Sequence, residues 1–260
     1  MLETDDLLVE LRDEGALWLT FNRPEVFNAF SGELSVALAE RLEDAASNDD
    51  VRVVVLTGAG AAFSAGADIA GEDAVERFDV RALDAANRII RAVTGCPKPV
   101  VAAVNGIAAG VGCSTALAAD LVVAAESAGF LLAFARIGLM PDGGTSATVA
   151  AAIGRARAMR MALLAEPLSG REAYDAGLVS HLAPDAELAD LVDTVVRRLS
   201  RGAPLAQAAT KKAVNAATLD QLEPALERER TGQTILLRTA DAAEGMRAFG
   251  EGRRPDFTGR

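Results

Sequence analysis

Short runs of β-branched and aliphatic residues alternate along this chain with stretches of helical periodicity, and that alternation constrains the fold more than any other feature. Residues 51–57, 100–104 and 121–125 are such runs; the first ends at Gly58 and the second at Asn105-Gly106. Runs this short and this apolar, bounded by turn residues, read as strands buried on both faces. Before the first of them, residues 31–47 place Leu34, Val36, Leu38, Leu42 and Ala45 at helical spacing behind Ser31, a good N-cap. Residues 72–94, interrupted near their start and stopped by Pro97 and Pro99, read as a second helix. Further helices are expected at 112–119, 144–153, 155–165 and 169–176, with a strand at 178–182. Residues 7–11 and 16–21 flank Asp13-Glu14-Gly15 and predict a hairpin. The order of elements implies a layered α/β core. From Ala186 onward the pattern is almost wholly helical, divided by Pro204 and Pro224, and Gly202 marks a boundary. The expected organisation is therefore a core over 1–200 and a helical region over 201–260.

The chain has 260 residues, enough for one large domain or a core with a small appendage. Aromatic residues make up only 4%, so packing must rely on small and aliphatic side chains. A net charge of −11 argues against nucleic acid or an anionic membrane as partner, because neither repays contact with an acidic surface. Cys96 and Cys113 are the only cysteines and His181 the only histidine, with no C-x-x-C spacing. That argues against a structural zinc site, a disulfide framework and a Ser-His-Asp triad; no metal is expected. His181 reads as an ordinary strand position. The acidic first residues lack the order of a signal peptide. The apolar stretch 106–125 contains Asp120 and many small residues, a poor membrane span. A soluble, cytoplasmic protein is expected.

Three turns carry the chemistry. Phe63-Ser64-Ala65-Gly66-Ala67-Asp68 and Asn105-Gly106-Ile107-Ala108-Ala109-Gly110-Val111-Gly112 each follow a buried strand and lead toward a helix. Small residues there let a ligand approach the main chain, and helix starts leave N–H groups unpaired. The spacing matches neither a dinucleotide fingerprint nor a P-loop. The first turn, on its own residues, reads more readily as an ordinary strand-to-helix connection. The third, Ile137-Gly138-Leu139-Met140-Pro141-Asp142-Gly143-Gly144-Thr145, places one carboxylate in a tight turn after an apolar run. Two N–H donors and one acid suit proton transfer beside a carbonyl. Pro-Asp-Gly is also a good turn without any such role.

Read together, these segments resemble the crotonase superfamily of enoyl-CoA hydratases and isomerases. The runs 63–69, 97–106 and 138–145 carry the resemblance, with Asn22-Arg23-Pro24, Ala176-Gly177-Leu178-Val179 and Glu244-Gly245-Met246-Arg247-Ala248-Phe249. The resemblance spans essentially the whole chain. It implies a spiral of β-β-α units with a C-terminal helical region that packs in homotrimers or dimers of trimers. It implies an acyl-CoA thioester as substrate, with no separate cofactor. It puts the two oxyanion donors at the N–H groups of Ala67 and Val111, and lays CoA along Arg23, Phe63, Ala65, Ala67, Asp68 and Ile69. Arg253 and Arg254 are candidates to meet its phosphates.

One departure bears on the reaction. Hydratases of this superfamily carry two glutamates that handle water; the corresponding positions here are Ser114 and Phe134. The Pro-Asp-Gly-Gly-Thr segment is also one residue shorter than the usual hydratase form, and an aspartate in it is the acid/base of some isomerase-type members. Asp142 is thus the expected proton carrier for moving a C=C bond from Δ3 to Δ2. Hydration with atypical residues, another thioester reaction such as hydrolysis, and acyl-CoA binding without turnover are the alternatives. An Asp at its ordinary pKa of ~3.9 is a weak base at neutral pH, so Phe134, Leu139, Met140 and Leu117 are expected to desolvate it. Ser114, Phe134, Met140 and Leu117 form the expected pocket lining. Asp68 reads as a cap or loop anchor and Asp120 as structural. Glu72, Asp73, Glu76 and Asp84 read as charges on a flap over the acyl group, and Cys113 as a packing residue.

Overall fold

The computed structural model describes residues 4–69 and 79–260. Glu72, Asp73 and Glu76 of the expected flap lie outside them. Strands β1 (Leu7–Arg12) and β2 (Ala16–Phe21) form the expected hairpin. They continue into β3 (Val53–Gly58), β5 (Val100–Val104), β7 (Leu121–Ala125) and β10 (His181–Ala183), giving one six-stranded sheet in the order β1-β2-β3-β5-β7-β10. All its pairings after the hairpin are parallel. A second sheet, β4-β6-β8-β9, is built from very short strands: Ala62–Ser64, Ile107–Ala109, Gly129–Leu131 and Leu168–Ser169. Each of β3, β5 and β7 in the first sheet is followed directly by β4, β6 or β8 in the second, then by helix. That repeat is the β-β-α spiral.

The helices are α1 (Gly32–Ser47), α2 (Val80–Gly95), α3 (Gly110–Leu117), α4 (Thr145–Leu164), α5 (Gly170–Ala176), α6 (Leu188–Ser200), α7 (Pro204–Thr218), α8 (Leu222–Leu236) and α9 (Ala240–Gly250). Ser31 caps α1 by accepting from the Leu34 N–H at 3.0 Å. Strands β3, β5 and β7 are buried on both faces. Val54 and Leu56 face the interior of the spiral, while Val53, Val55, Val101 and Val123 face Val192, Val195 and Val196 of α6.

Two expectations need correction. The strand expected at 178–182 begins only at His181, because Gly177 ends α5 in a left-handed turn and the N–H groups of Leu178 and Val179 still bond to Ala173. Pro224 does not divide the last helices. It lies in the first turn of α8, where its missing N–H has no intrahelical acceptor to lose. The two helices expected at 144–153 and 155–165 are both present, as the two halves of α4, with Gly154 between them in a non-helical conformation at φ +77°.

Candidate active site

Two main-chain turns meet at the centre of the spiral. Beyond β4, Gly66 adopts φ +99°, and a Cβ there would lie 2.8 Å from the carbonyl oxygen of Ala109. Only glycine lets the two turns press together so closely. Ser64 locks the first turn: its hydroxyl donates to Asn28 O at 2.8 Å and accepts from the Gly66 N–H at 3.1 Å. The Phe30 N–H donates to Gly66 O and the Asp68 N–H to Phe30 O, so both flanking residues bond toward Phe30. The Ala67 N–H between them points the opposite way, as alternation along extended chain requires. It has no acceptor among the described residues. Val111 is the second residue of α3, where an N–H has no intrahelical partner.

Asp142 sits in the loop before α4, against α3. Its main-chain oxygen accepts from Ser114 Oγ at 2.9 Å and from Thr145 Oγ1 at 3.0 Å. Ser114 is one turn along α3 from Val111, so the loop rests on the helix that presents that N–H. The side chain of Asp142 is buried, with Oδ2 accepting from Gln233 Nε2 at 2.9 Å. Oδ1 is buried and has no hydrogen-bond partner among the described residues. Burial pushes the acid up to about 7; the Gln233 bond pulls it down and the Glu229 charge raises it.

Glu229 is the other buried acid among the described residues. Its Oε2 accepts from the Gly144 N–H at 2.6 Å and its Oε1 from the Ser146 N–H at 2.9 Å. A carboxylate from α8 thus caps α4 and complements the positive end of that helix. Burial raises its acid as well, against the pull of those bonds.

Comparison with known proteins agrees with this architecture. The family model described as enoyl-CoA hydratase/isomerase matches residues 12–260. The chain belongs to the enoyl-CoA hydratase/isomerase family. It is 38% identical to 1,2-epoxyphenylacetyl-CoA isomerase of Escherichia coli K12, over 95% of this chain and 97% of that one. It is 36% identical to 2,3-dehydroadipyl-CoA hydratase of the same organism, over 97% and 99%. The crystal structure of an enoyl-CoA hydratase from Mycobacterium avium subsp. paratuberculosis K-10 superposes with a TM-score of 0.91 at 47% identity, covering 98% of this chain and all of that one. Both isomerases and hydratases thus stand among the relatives of this family member.

The other residues singled out in the sequence fall into two groups. Ser114 and Met140 adjoin Asp142: Ser114 through the bond above, Met140 by donating its N–H to Gln233 Oε1 at 3.1 Å while its sulfur packs on Gly232. Phe134 is buried in the main core. Leu117 ends α3 and lines a different hollow, of about 710 Å³, between α3, α4 and α7. Asp142 is enclosed instead by Ser114, Gln233 and Glu229, with Ile90 packed at Gly143 and Leu222 at Gly144. Of the residues expected along CoA, Ala65 is exposed and Ala67, Asp68 and Ile69 are half-buried. Phe63 is fully buried, edge-on to Phe21 at 5.2 Å, so only its main chain can face a ligand. Arg23 is engaged by Asp68 at 2.9 Å, Asp6 at 3.3 Å and Ala29 O at 2.7 Å, which makes it a clasp for the first turn. Arg253 is paired with Glu244 and Glu251. Arg254 lines a hollow of about 440 Å³ with Arg136, Phe249 and Phe257. Cys113 is buried, its thiol pushed up to about 12 by desolvation, and Asp84 forms an exposed pair with Arg230. Among the described residues no three His, Cys, Asp or Glu side chains gather as a metal site, and no helix is long and apolar enough to cross a membrane.

Gln233 and Glu229 are the site residues that sequence reasoning missed. The one available signal was that both fall on a single face of α8, four residues apart, where a soluble helix would bury apolar side chains.

Proposed function

We propose that this protein shifts the double bond of a 3-enoyl-CoA thioester to the 2-position, with Asp142 as the proton carrier. Asp142 takes a proton from C2. The electron pair moves into the thioester carbonyl, whose oxygen is held by the N–H groups of Ala67 and Val111. The resulting dienolate collapses with a double bond between C2 and C3, and Asp142 returns the proton to C4. Atoms and charge balance without water or a redox partner. Each oxyanion donor of this kind is worth ~2.7–4 kcal/mol of transition-state stabilisation. A carboxyl with a midpoint of about 7 is matched to this task at neutral pH, because it is neither too weak a base nor too weak an acid.

The observation that carries this reading is the inventory of buried carboxyl oxygens. Only Oδ1 of Asp142 is without a partner among the described residues, since both oxygens of Glu229 are occupied by main-chain N–H groups. Hydration needs a second acid or base to orient water, and Ser114 and Phe134 supply none. The missing group would cost on the order of 10²–10⁴-fold.

The test offers purified protein 3-hexenoyl-CoA and, separately, 2-hexenoyl-CoA, following conjugation at the thioester and addition of water. Isomerisation is expected to exceed hydration, and Asp142→Asn to lower it by ~10²–10⁴-fold with substrate binding kept. Hydration outpacing isomerisation, full activity in the Asn variant, or binding without turnover in the parent would each overturn the proposal.

A further inference from the structure

The two oxygens of Asp142 are not equivalent, and the cause is a residue of the C-terminal helices. The Met140 N–H can only donate, so the Gln233 atom 3.1 Å from it is the amide oxygen. The amide nitrogen is thereby committed to Asp142, as a donor, at 2.9 Å from Oδ2. Gln233 is itself fully buried, so this arrangement is fixed by packing on α8. When Asp142 is protonated, the oxygen receiving the amide hydrogen is its carbonyl oxygen, and the hydroxyl belongs on the other. That other oxygen, Oδ1, is the buried and unpartnered one.

We infer that Gln233 is a positioning residue that selects Oδ1 as the oxygen carrying the proton. This rests on the reading of Asp142 as proton carrier and deepens it, because it assigns the C-terminal helical region a part in the proton transfer. Gln233 also stabilises the carboxylate form. The groups facing Asp142 from the surrounding elements are Ser114 of α3, Thr145 of α4, Ile90 of α2 beside Gly143, and Glu229 and Gln233 of α8. Among them only Glu229 is titratable, and its charge opposes ionisation of Asp142. Among the described residues, Gln233 alone donates to the carboxylate.

The experiment compares pH profiles of kcat/KM for 3-hexenoyl-CoA in the parent, in Gln233→Met and in Gln233→Glu, with Asp142→Asn as reference. Methionine keeps the length and the apolar bulk but has no donor. Its profile is expected to rise at a pH higher than that of the parent by about one to two pH units, the equivalent of one hydrogen bond to a charged group. The kcat at pH 7 is expected to fall about 5–50-fold, as less of the base form survives, while KM stays within about threefold, since Gln233 does not touch substrate. The glutamate variant keeps an acceptor for the Met140 N–H and brings a second acid against Asp142, so its profile moves the same way. It serves if the Met variant does not fold. A profile superimposable on that of the parent in either folded variant overturns the inference, even if kcat has dropped, because a merely structural role lowers the rate without moving the midpoint. If Asp142→Asn is inactive while the Gln233 profiles are unmoved, the proton carrier stands and its positioning by Gln233 falls. If Asp142→Asn is active, the reading beneath both has failed.

Discussion

A carboxyl group sealed from water prefers its proton, and this preference links the site to the stability of the fold. The unfolded chain ionises Asp142 near its ordinary value of 3.8, whereas the folded chain holds the proton up to about 7. Between those values the native state binds more protons than the unfolded state, so stability is fully present below about pH 4 and is lost as pH rises through about 7. Asparagine at position 142 still accepts from Gln233 through its amide oxygen and carries no such loss. The unfolding free energy of Asp142→Asn is therefore expected to gain on the parent by on the order of 4 kcal/mol between about pH 4 and pH 8. Urea unfolding across that range measures it. A difference that does not change with pH would mean that the carboxyl is hydrated in the native state.

At the scale of elements, the site depends on main-chain turns whose side chains are almost irrelevant. Gly66 is the clearest case, with φ +99° and the Ala109 carbonyl 2.8 Å from where a Cβ would sit. Gly66→Ala is expected to cost ~1–3 kcal/mol in strain alone, and to weaken turnover further by tilting the Ala67 N–H. Urea unfolding and steady-state kinetics of the same variant read the two effects; unchanged values for both would show that the turn relaxes freely. The same scale explains what was legible in the sequence. The large strands were readable because runs such as 100–104 are apolar on both faces and end at glycine or asparagine. The second sheet was not, because β4, β6 and β8 span three residues each, too few for any periodicity to register. Asp142 could be picked out as a base only through the family resemblance, because aspartate is a common turn residue and Pro-Asp-Gly by itself reads as an ordinary turn. Gln233 and Glu229 could not, because each makes its contact with residues 83 to 93 positions away. No local pattern encodes a partner that distant.

Across the whole molecule, the helices that supply Gln233 and Glu229 must be held against the spiral. Arg91–Glu223 and Arg230–Asp84 bridge the two at the surface, and exposed pairs of this kind are worth ~0–1 kcal/mol each. Lys211 of α7 differs. Its ammonium is 2.8 Å from Asp120 Oδ2 and also donates to the carbonyls of Val93 at 2.9 Å and Lys98 at 3.4 Å, with only 9% of the side chain exposed. Asp120 in turn accepts from the Val100 N–H at the start of β5. One cation thus ties α7 to the end of α2 and to two strands' beginnings. Burial raises the Asp120 acid despite the pull of Lys211, but 21% of the Asp120 side chain is open to water, so removing the ammonium leaves a carboxylate that is only partly solvated. Lys211→Met is expected to cost ~1.5–3 kcal/mol at pH 8, the worth of hydrogen bonds to a charged group. The penalty should shrink toward pH 5, where Asp120 can take a proton instead, and Lys211→Met combined with Asp120→Asn should recover much of it. Urea unfolding of the single and double variants at both pH values makes the measurement. If the single variant loses no more than Arg230→Ala does, the attachment of the C-terminal helices rests on apolar packing, and Lys211 is only a solvated neighbour of Asp120.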